Sequence, residues 1–192
     1  MPPEVWRLFI GCFIPPELLL EAYHRLKAVC SPWVQAKWVR PEQLHFTLAF
    51  LGEVPRSRLS ELFQLIAPLL CEHDSPLVLR GIGVFPRWQS PRVLYIGVEN
   101  SNGVLQEVRA TLYTVLATAG FLPAEEQHPF VPHVTVARLK QVRHPERLQQ
   151  ELRPYREREF AFVPSFRPVL VRSVLTSEGP IYSVLSPEPE AL

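Results

Sequence analysis

The sequence predicts an α+β fold with mainly antiparallel sheets, on three observations. Stretches with strand and helix periodicity interleave irregularly along the 192 residues, and neighbouring strands are joined by short turns rich in proline and glycine. The chain also contains a weak internal repeat: each half has a helix, a His-x-Thr strand, a second helix and a hairpin. The two histidines, His45 and His133, are 133 − 45 = 88 residues apart. We therefore expect two lobes with outer helices, related by a pseudo-two-fold axis around a central cleft.

The first half is predicted to alternate strands and helices. Residues 5–14 are typical of a buried strand, and a helix follows at Pro15 and Pro16, because proline is favoured at the first helical position. A loop with two tryptophans leads to a second strand at 43–51. Ser57 is a candidate N-cap for the next helix, whose apolar side chains recur every three to four residues.

The second half follows a similar order. A hairpin is predicted from strands at 77–85 and 93–98, and a long helix at 102–119 is expected to end at Gly120, which suits the left-handed conformation of a C-terminal cap. The remaining predicted elements are a strand at 130–139, a short helix from 145 to 153, and strands at 160–166, 169–176 and 181–185.

Length and composition indicate one intracellular domain. We expect residues 1–186 to form a single domain of two intertwined lobes and residues 187–192 to be a disordered tail. The three cysteines, an odd number without a C-x-x-C pair, favour a reducing cytoplasm over a disulfide scaffold or a zinc site. No apolar stretch is long enough to span a bilayer. The formal net charge of +1 argues against a broad surface for duplex nucleic acid, and a monomer is expected.

Two predicted strands carry the same tripeptide, His-x-Thr, at 45–47 and at 133–135. Side chains alternate between the faces of a strand, so each histidine and threonine point to one face and the apolar residue between them points to the core. A single copy would be typical of a histidine satisfied within a sheet. With 6 histidines in the chain, roughly 0.2 copies are expected by chance, so two copies in opposite halves are a strong signal.

This residue set suits the opening of a cyclic phosphodiester. One group must take a proton from the attacking water and another must give a proton to the departing sugar oxygen, and two imidazoles near pKa 6.5 can share these roles. The hydroxyls of Thr47 and Thr135 can donate hydrogen bonds to non-bridging phosphate oxygens. Because no carboxylate–histidine cluster has metal-ligand spacing, neither a metal nor another cofactor is expected.

These motifs identify a resemblance that covers nearly the whole chain. The sequence resembles the bacterial RNA 2′,3′-cyclic phosphodiesterases, also called 2′-5′ RNA ligases, of the 2H phosphoesterase superfamily. It departs from them after residue 185 and has Tyr95 where tryptophan is common. The segments that carry the resemblance are residues 7–10, 41–54, 91–97 and 130–138.

The resemblance implies a direction for the chemistry. His45 would donate a proton to the leaving O3′ and His133 would be the base for water, so the product is a 2′-phosphate, and an RNA 5′-hydroxyl in place of water would give a 2′-5′ linkage. Phe50 would pack on the nucleobase and Arg138 would hold the phosphate. Both lie five residues after a histidine, where strict alternation points away from it, so each requires a bulge or a strand end. The alternative for Phe50 is core packing.

Two other functions stay open. The same motif residues would serve a 2H phosphoesterase for another cyclic phosphate or for a 2′-5′ oligonucleotide. A non-catalytic nucleotide- or RNA-binding module is the alternative from a different class. The presence of both histidines and both threonines argues against it, because binding alone needs no proton donor and acceptor.

Overall fold

The computed structural model describes residues 4–122 and 129–186. The predicted tail at 187–192 lies outside these residues. Nine strands and four α-helices are found in the described part. The strands are β1 (Val5–Phe13), β2 (Val34–Trp38), β3 (His45–Pro55), β4 (Leu77–Phe85), β5 (Val93–Glu99), β6 (His133–Val142), β7 (Glu159–Val163), β8 (Val169–Thr176) and β9 (Gly179–Leu185), and the helices are α1 (Pro16–Cys30), α2 (Leu59–Ile66), α3 (Val104–Thr118) and α4 (Pro145–Leu152).

The strands form one hydrogen-bonded sheet, and all of its pairings are antiparallel. The strand order is β7-β4-β5-β6-β3-β1-β8-β9, which divides into two lobes. Lobe one contains β3, β1, β8 and β9, and lobe two contains β6, β5, β4 and β7. A single residue pair, Phe46 with Val134, joins β3 to β6. The α+β class with two related lobes is confirmed, and the lobes meet in a continuous sheet because these two strands pair.

Strand β2 was expected to be a loop, and this expectation is wrong. It pairs with β6, with Lys37 opposite Arg138. Since Arg138 also pairs with Val93 of β5, β2 must lie on the opposite edge of β6, the edge that β3 also uses. Strands β2 and β3 are thus two parts of one run along β6, interrupted by a 3-10 turn at Pro41–Gln43. The short length of β2 and the proline after it conceal the strand in the sequence.

The two longest helices each pack on the lobe opposite to the strand that precedes them. Helix α1 contacts β7 and α4, and so lies on lobe two, whereas α3 contacts β3 and α2 on lobe one. Helix α1 thus follows a strand of lobe one but packs on lobe two, and α3 follows a strand of lobe two but packs on lobe one. None of the helices in the described residues is long and apolar enough to cross a membrane.

Two predicted helix caps had different outcomes. Gly120 follows α3 with φ of +69°, and the amide of Phe121 donates to the carbonyl of Leu116, as expected of a glycine cap. Ser57 is not a cap, because it lies within a 3-10 turn and α2 begins after Arg58. The predicted strand at 130–139 likewise begins three residues later, at His133.

Candidate active site

The two His-x-Thr segments meet side by side where the lobes join. Phe46 and Val134 are opposite each other and both are fully buried. Because neighbouring side chains alternate, the histidine and threonine on either side of each must point to the other face of the sheet. All four are partly exposed. We call this face, which carries His45, Thr47, His133 and Thr135, the cleft face.

A bulge follows each motif at the same place. In β3, Ile10 of β1 is opposite Ala49 and Gly11 is opposite Thr47, which leaves Leu48 without a partner. In β6, Val136 is left without a partner in the same way. The extra residue reverses the alternation, and the burial of residues 45–50 and 133–138 follows one identical pattern. The bulge that Phe50 and Arg138 require is therefore present in both strands.

The bulge exposes these two side chains. Phe50 is 52% exposed and lies 6.3 Å, between ring centroids, from Phe9, so the alternative of plain core packing does not describe it. Arg138 is also exposed, and its charge acts on both motif histidines. The structure brings all six predicted site residues to the cleft face.

Both imidazoles are oriented by the same backbone contact. His45 Nδ1 donates to the carbonyl oxygen of Gln43 at 2.7 Å, and His133 Nδ1 donates to that of Val131 at 2.6 Å. A carbonyl oxygen can only accept, so in each neutral ring the proton is on Nδ1 and Nε2 keeps its lone pair. Each Nε2 can therefore accept a proton, and can donate one once the ring is charged.

Aromatic rings enclose each histidine. Phe9 stacks on His45 with centroids 5.0 Å apart, and Tyr182 meets it edge-on at 5.3 Å. In lobe two, Phe85 and Tyr95 lie 4.9 and 5.1 Å from His133. These rings were not predicted as site residues from the sequence.

Two strand glycines make room for the rings. A Cβ at Gly83 would lie 2.3 Å from the ring of Tyr95. One at Gly11 would lie 3.2 Å from the ring of Phe9 and 2.8 Å from the carbonyl oxygen of Phe46. An isolated glycine within a strand indicates such a close approach. The glycines were therefore the available sequence signal for the rings beside the histidines.

Tyr182 reaches His45 because the β8–β9 hairpin curls over the cleft face. Strand β8 pairs with β1 only as far as Arg172, although the hairpin continues to Gly179. The buried Gln43 holds the free end, since its side-chain Nε2 donates to the carbonyl of Pro180 at 2.8 Å. Gln43 thus has two roles within lobe one: its backbone orients His45 and its side chain anchors the hairpin that carries Tyr182.

The surroundings disfavour positive charge on both imidazoles. Burial lowers the pKa of His45, the hydrogen bond to Gln43 opposes this, and the charges of His133 and Arg138 lower the pKa further. Burial also lowers the pKa of His133, with an opposing hydrogen bond to Val131 and a further decrease from Arg138. The neutral form of each ring is therefore favoured, compared with an ordinary histidine side chain.

The site also offers hydrogen-bond donors for an anion. Within the described residues, the hydroxyls of Thr47 and Thr135 form no hydrogen bond with other side chains or backbone, so both are available to a ligand. Burial raises the pKa of Tyr182, while the positive charges of Arg138 and Arg7 lower it. In the described part of the chain, no group of three or more His, Cys, Asp or Glu side chains is placed to hold a metal ion.

One His-x-Thr strand from each lobe, facing a shared cleft, is the arrangement of the 2H phosphoesterases. The sequence model of the 2′-5′ RNA ligase superfamily matches residues 15–164, and the chain belongs to this family.

Relatives match over nearly the full length. A protein from Aquifex aeolicus named RNA 2′,3′-cyclic phosphodiesterase is 33% identical over 184 residues, which cover 95% of this chain and 96% of the relative. One of the same name from Aeropyrum pernix is 38% identical over 158 residues, covering 82% and 88%. A crystal structure from Thermus thermophilus matches with a TM-score of 0.71 and 32% identity, covering 94% of this chain and 95% of that one.

Proposed function

We propose that this protein hydrolyses RNA 2′,3′-cyclic phosphate ends to 2′-phosphates by proton transfer between two histidines and water, without a metal ion. The observation that carries the proposal is the matched orientation of His45 and His133, each held through Nδ1 with Nε2 available. The activity named for the relatives from Aquifex aeolicus and Aeropyrum pernix supports the same substrate. The protein acts as a cytoplasmic monomer in this proposal, and its three free cysteines suit a reducing compartment.

In the proposed reaction, His133 removes a proton from water as the water oxygen attacks phosphorus. The bond from phosphorus to O3′ breaks, and His45 donates a proton to O3′. The phosphate stays on O2′. Because the surroundings lower the pKa of both histidines in the free protein, this assignment requires the bound anionic substrate to favour a proton on His45.

The other residues act on the substrate. Thr47 and Thr135 donate to the non-bridging oxygens, whose negative charge grows in the transition state. Arg138 pairs with the phosphate through two N–H groups of its planar fork. Phe50 packs on the terminal nucleobase. Replacing water by an RNA 5′-hydroxyl in the same geometry gives 2′-5′ ligation.

The test is an assay with a defined oligonucleotide that ends in a 2′,3′-cyclic phosphate, in EDTA. We expect full turnover and a terminal 2′-phosphate, identified by mass and by nuclease mapping. Protein carrying both His45→Ala and His133→Ala, purified in parallel, excludes a contaminating nuclease. Loss of activity on chelation with recovery on adding a divalent ion would contradict the mechanism. Tight binding without turnover would favour the binding-module alternative.

A further inference from the structure

Lys37 and Arg138 form a pair of like charges across two strands. They are direct partners in the β2–β6 ladder, where opposite Cβ atoms are about 5 Å apart and like charges destabilise the sheet. Both side chains are exposed. Within the described residues, neither forms an ion pair with a carboxylate. Two cations kept together in this way suit a ligand that carries more than one anionic group.

Lys37 points to the cleft face. Its neighbour Trp38 packs edge-on against Tyr23 of α1, so alternation turns Lys37 to the other side, with Arg138. Its ammonium lies against the tip of the β8–β9 hairpin, where a Cβ at Gly179 would be 3.2 Å from Nζ. Glycine at this position leaves space around the ammonium. Glu178, one residue earlier and also in the described part of the chain, forms no ion pair with it.

The ammonium is separated from the reacting atoms along the sheet. The pairing of Phe46 with Val134 sets His45 beside Thr135, and Lys37 is level with Arg138. These two levels are three residues apart along β6, from Thr135 to Arg138, which at about 3.3 Å per residue is a separation of about 10 Å. Arg138 is at the level of Lys37, but its charge acts on both histidines, whereas the ammonium of Lys37 lies at the hairpin tip beside Gly179. Arg138 therefore serves the anion at the histidines, and Lys37 is placed for a different one.

We propose that Lys37 binds the phosphate on the 5′ side of the terminal nucleotide, and so selects RNA ends over cyclic mononucleotides that have a 5′-hydroxyl. The inference rests on the proposed function, because it takes the cyclic phosphate to lie between the histidines. A nucleotide held there by its cyclic end extends its 5′ oxygen away from the reacting phosphorus. The nearest anion that an RNA strand adds is that 5′ phosphate. Lysine is suited to it as a compact point charge without a required planar geometry.

The experiment compares two substrates that differ in one phosphate: uridine 2′,3′-cyclic phosphate with a 5′-hydroxyl and with a 5′-phosphate. The ratio of their kcat/KM values is measured for the wild type, Lys37→Gln and Lys27→Gln. Lys27 lies exposed on α1, so its variant loses the same charge on another surface. We expect the wild type and Lys27→Gln to prefer the 5′-phosphate about tenfold, the scale of one hydrogen bond to a charged group. In Lys37→Gln the ratio should approach one.

Salt dependence provides a second readout. For an oligonucleotide that ends in a 2′,3′-cyclic phosphate, the slope of log kcat/KM against log salt concentration should be less steep by about 0.7 in Lys37→Gln, the value for one lost contact to a single strand. If Lys37 only supports the hairpin, both substrates lose activity equally and the ratio is unchanged, which overturns the inference. Wild-type turnover of both substrates with no preference also overturns it. If the wild type hydrolyses neither of them nor the oligonucleotide, the proposed function itself fails.

Discussion

The two motif strands are alike in backbone and different in side chains. Residues 45–50 and 133–138 have the same sequence of buried and exposed positions, the same bulge, and a histidine bonded to the carbonyl two residues earlier. At the sixth position, however, β3 has the half-exposed Phe50 and β6 has Arg138. The two strands thus differ at the position where the bulge directs a side chain to the cleft face.

This difference separates two demands on the site. Proton transfer needs an acid and a base with similar geometry, and a repeated backbone supplies both. A nucleotide end is asymmetric, with an apolar base and an anionic phosphate, so binding it needs two unlike surfaces. Both lobes place aromatic rings beside their histidine, but at the sixth position of the motif strand lobe one provides Phe50 and lobe two provides Arg138. Removing the shared features should therefore impair the chemical step, and removing the features that differ should impair substrate binding.

The largest expected effect comes from removing what the two strands share. His45→Ala and His133→Ala should each lower kcat/KM for a cyclic-phosphate oligonucleotide at least about a hundredfold, the usual scale for a lost general acid or base. The double variant should be little worse than either one, because the two groups act as a unit. His24→Ala, on the exposed side of α1, is the matched control. Additive losses in the double variant would show that the histidines act independently.

A change of leaving group separates the two roles. A substrate with sulfur in place of O3′ needs no proton at the leaving atom and should therefore rescue His45→Ala more than His133→Ala. Rescue of His133→Ala alone would reverse the assignment. Rescue of neither variant would argue against an acid–base pair.

The next effect concerns the phosphate side of the comparison. Arg138→Lys keeps the charge but loses the planar fork that pairs with two phosphate oxygens. We expect kcat/KM to fall about tenfold or more, the scale of a hydrogen bond between charged groups. Arg143→Lys, beyond the end of β6, should match the wild type. Wild-type kinetics for Arg138→Lys would remove Arg138 from the site.

Phe50→Ala tests the nucleobase side. Loss of one stacking contact should raise KM about fivefold, at the lower end of measured base–aromatic stacking, with kcat little changed. Because Phe50 is 52% exposed, the melting temperature should fall much less than for a fully buried phenylalanine such as Phe46. A large loss of stability with an unchanged KM would mean that Phe50 serves packing alone.

The sequence predicted the parts of this site that local periodicity encodes. The repeated His-x-Thr tripeptide and the apolar residues between indicated strand, face and chemistry together, and the five-residue offset of Phe50 and Arg138 required the bulges. Contacts between distant segments were not predictable in this way. Gln43 forms a hydrogen bond with Pro180, 137 residues away in the sequence. Lys37 is opposite Arg138 only because β2 and β3 pair with the same edge of β6. Periodicity carries no information on either contact.

The smallest expected effect is a displacement between two pH profiles. Turnover needs one neutral and one protonated histidine, so kcat/KM and kcat should both be bell-shaped, with limbs that belong to the coupled pair. In the free protein, burial and Arg138 hold both histidine pKa values below 6.5. As the pH rises through these lowered values the rings lose their protons and the acid becomes scarce, so kcat/KM, which reports the free protein, should be highest below pH 6.5.

The profile of kcat reports the bound state, and it should lie at higher pH. An anionic phosphodiester between the imidazoles favours their charged forms and so raises both pKa values. The same depressed pKa values make the unfolded chain bind more protons below pH 6.5, so the free energy of unfolding should fall as the pH drops from 6.5 through the folded-state values. Steady-state kinetics and urea unfolding across about pH 5 to 9 measure both effects. Coincident profiles with an optimum above pH 7 would mean that the free site is already charged, and that the aromatic surroundings of the two histidines do not control their protonation.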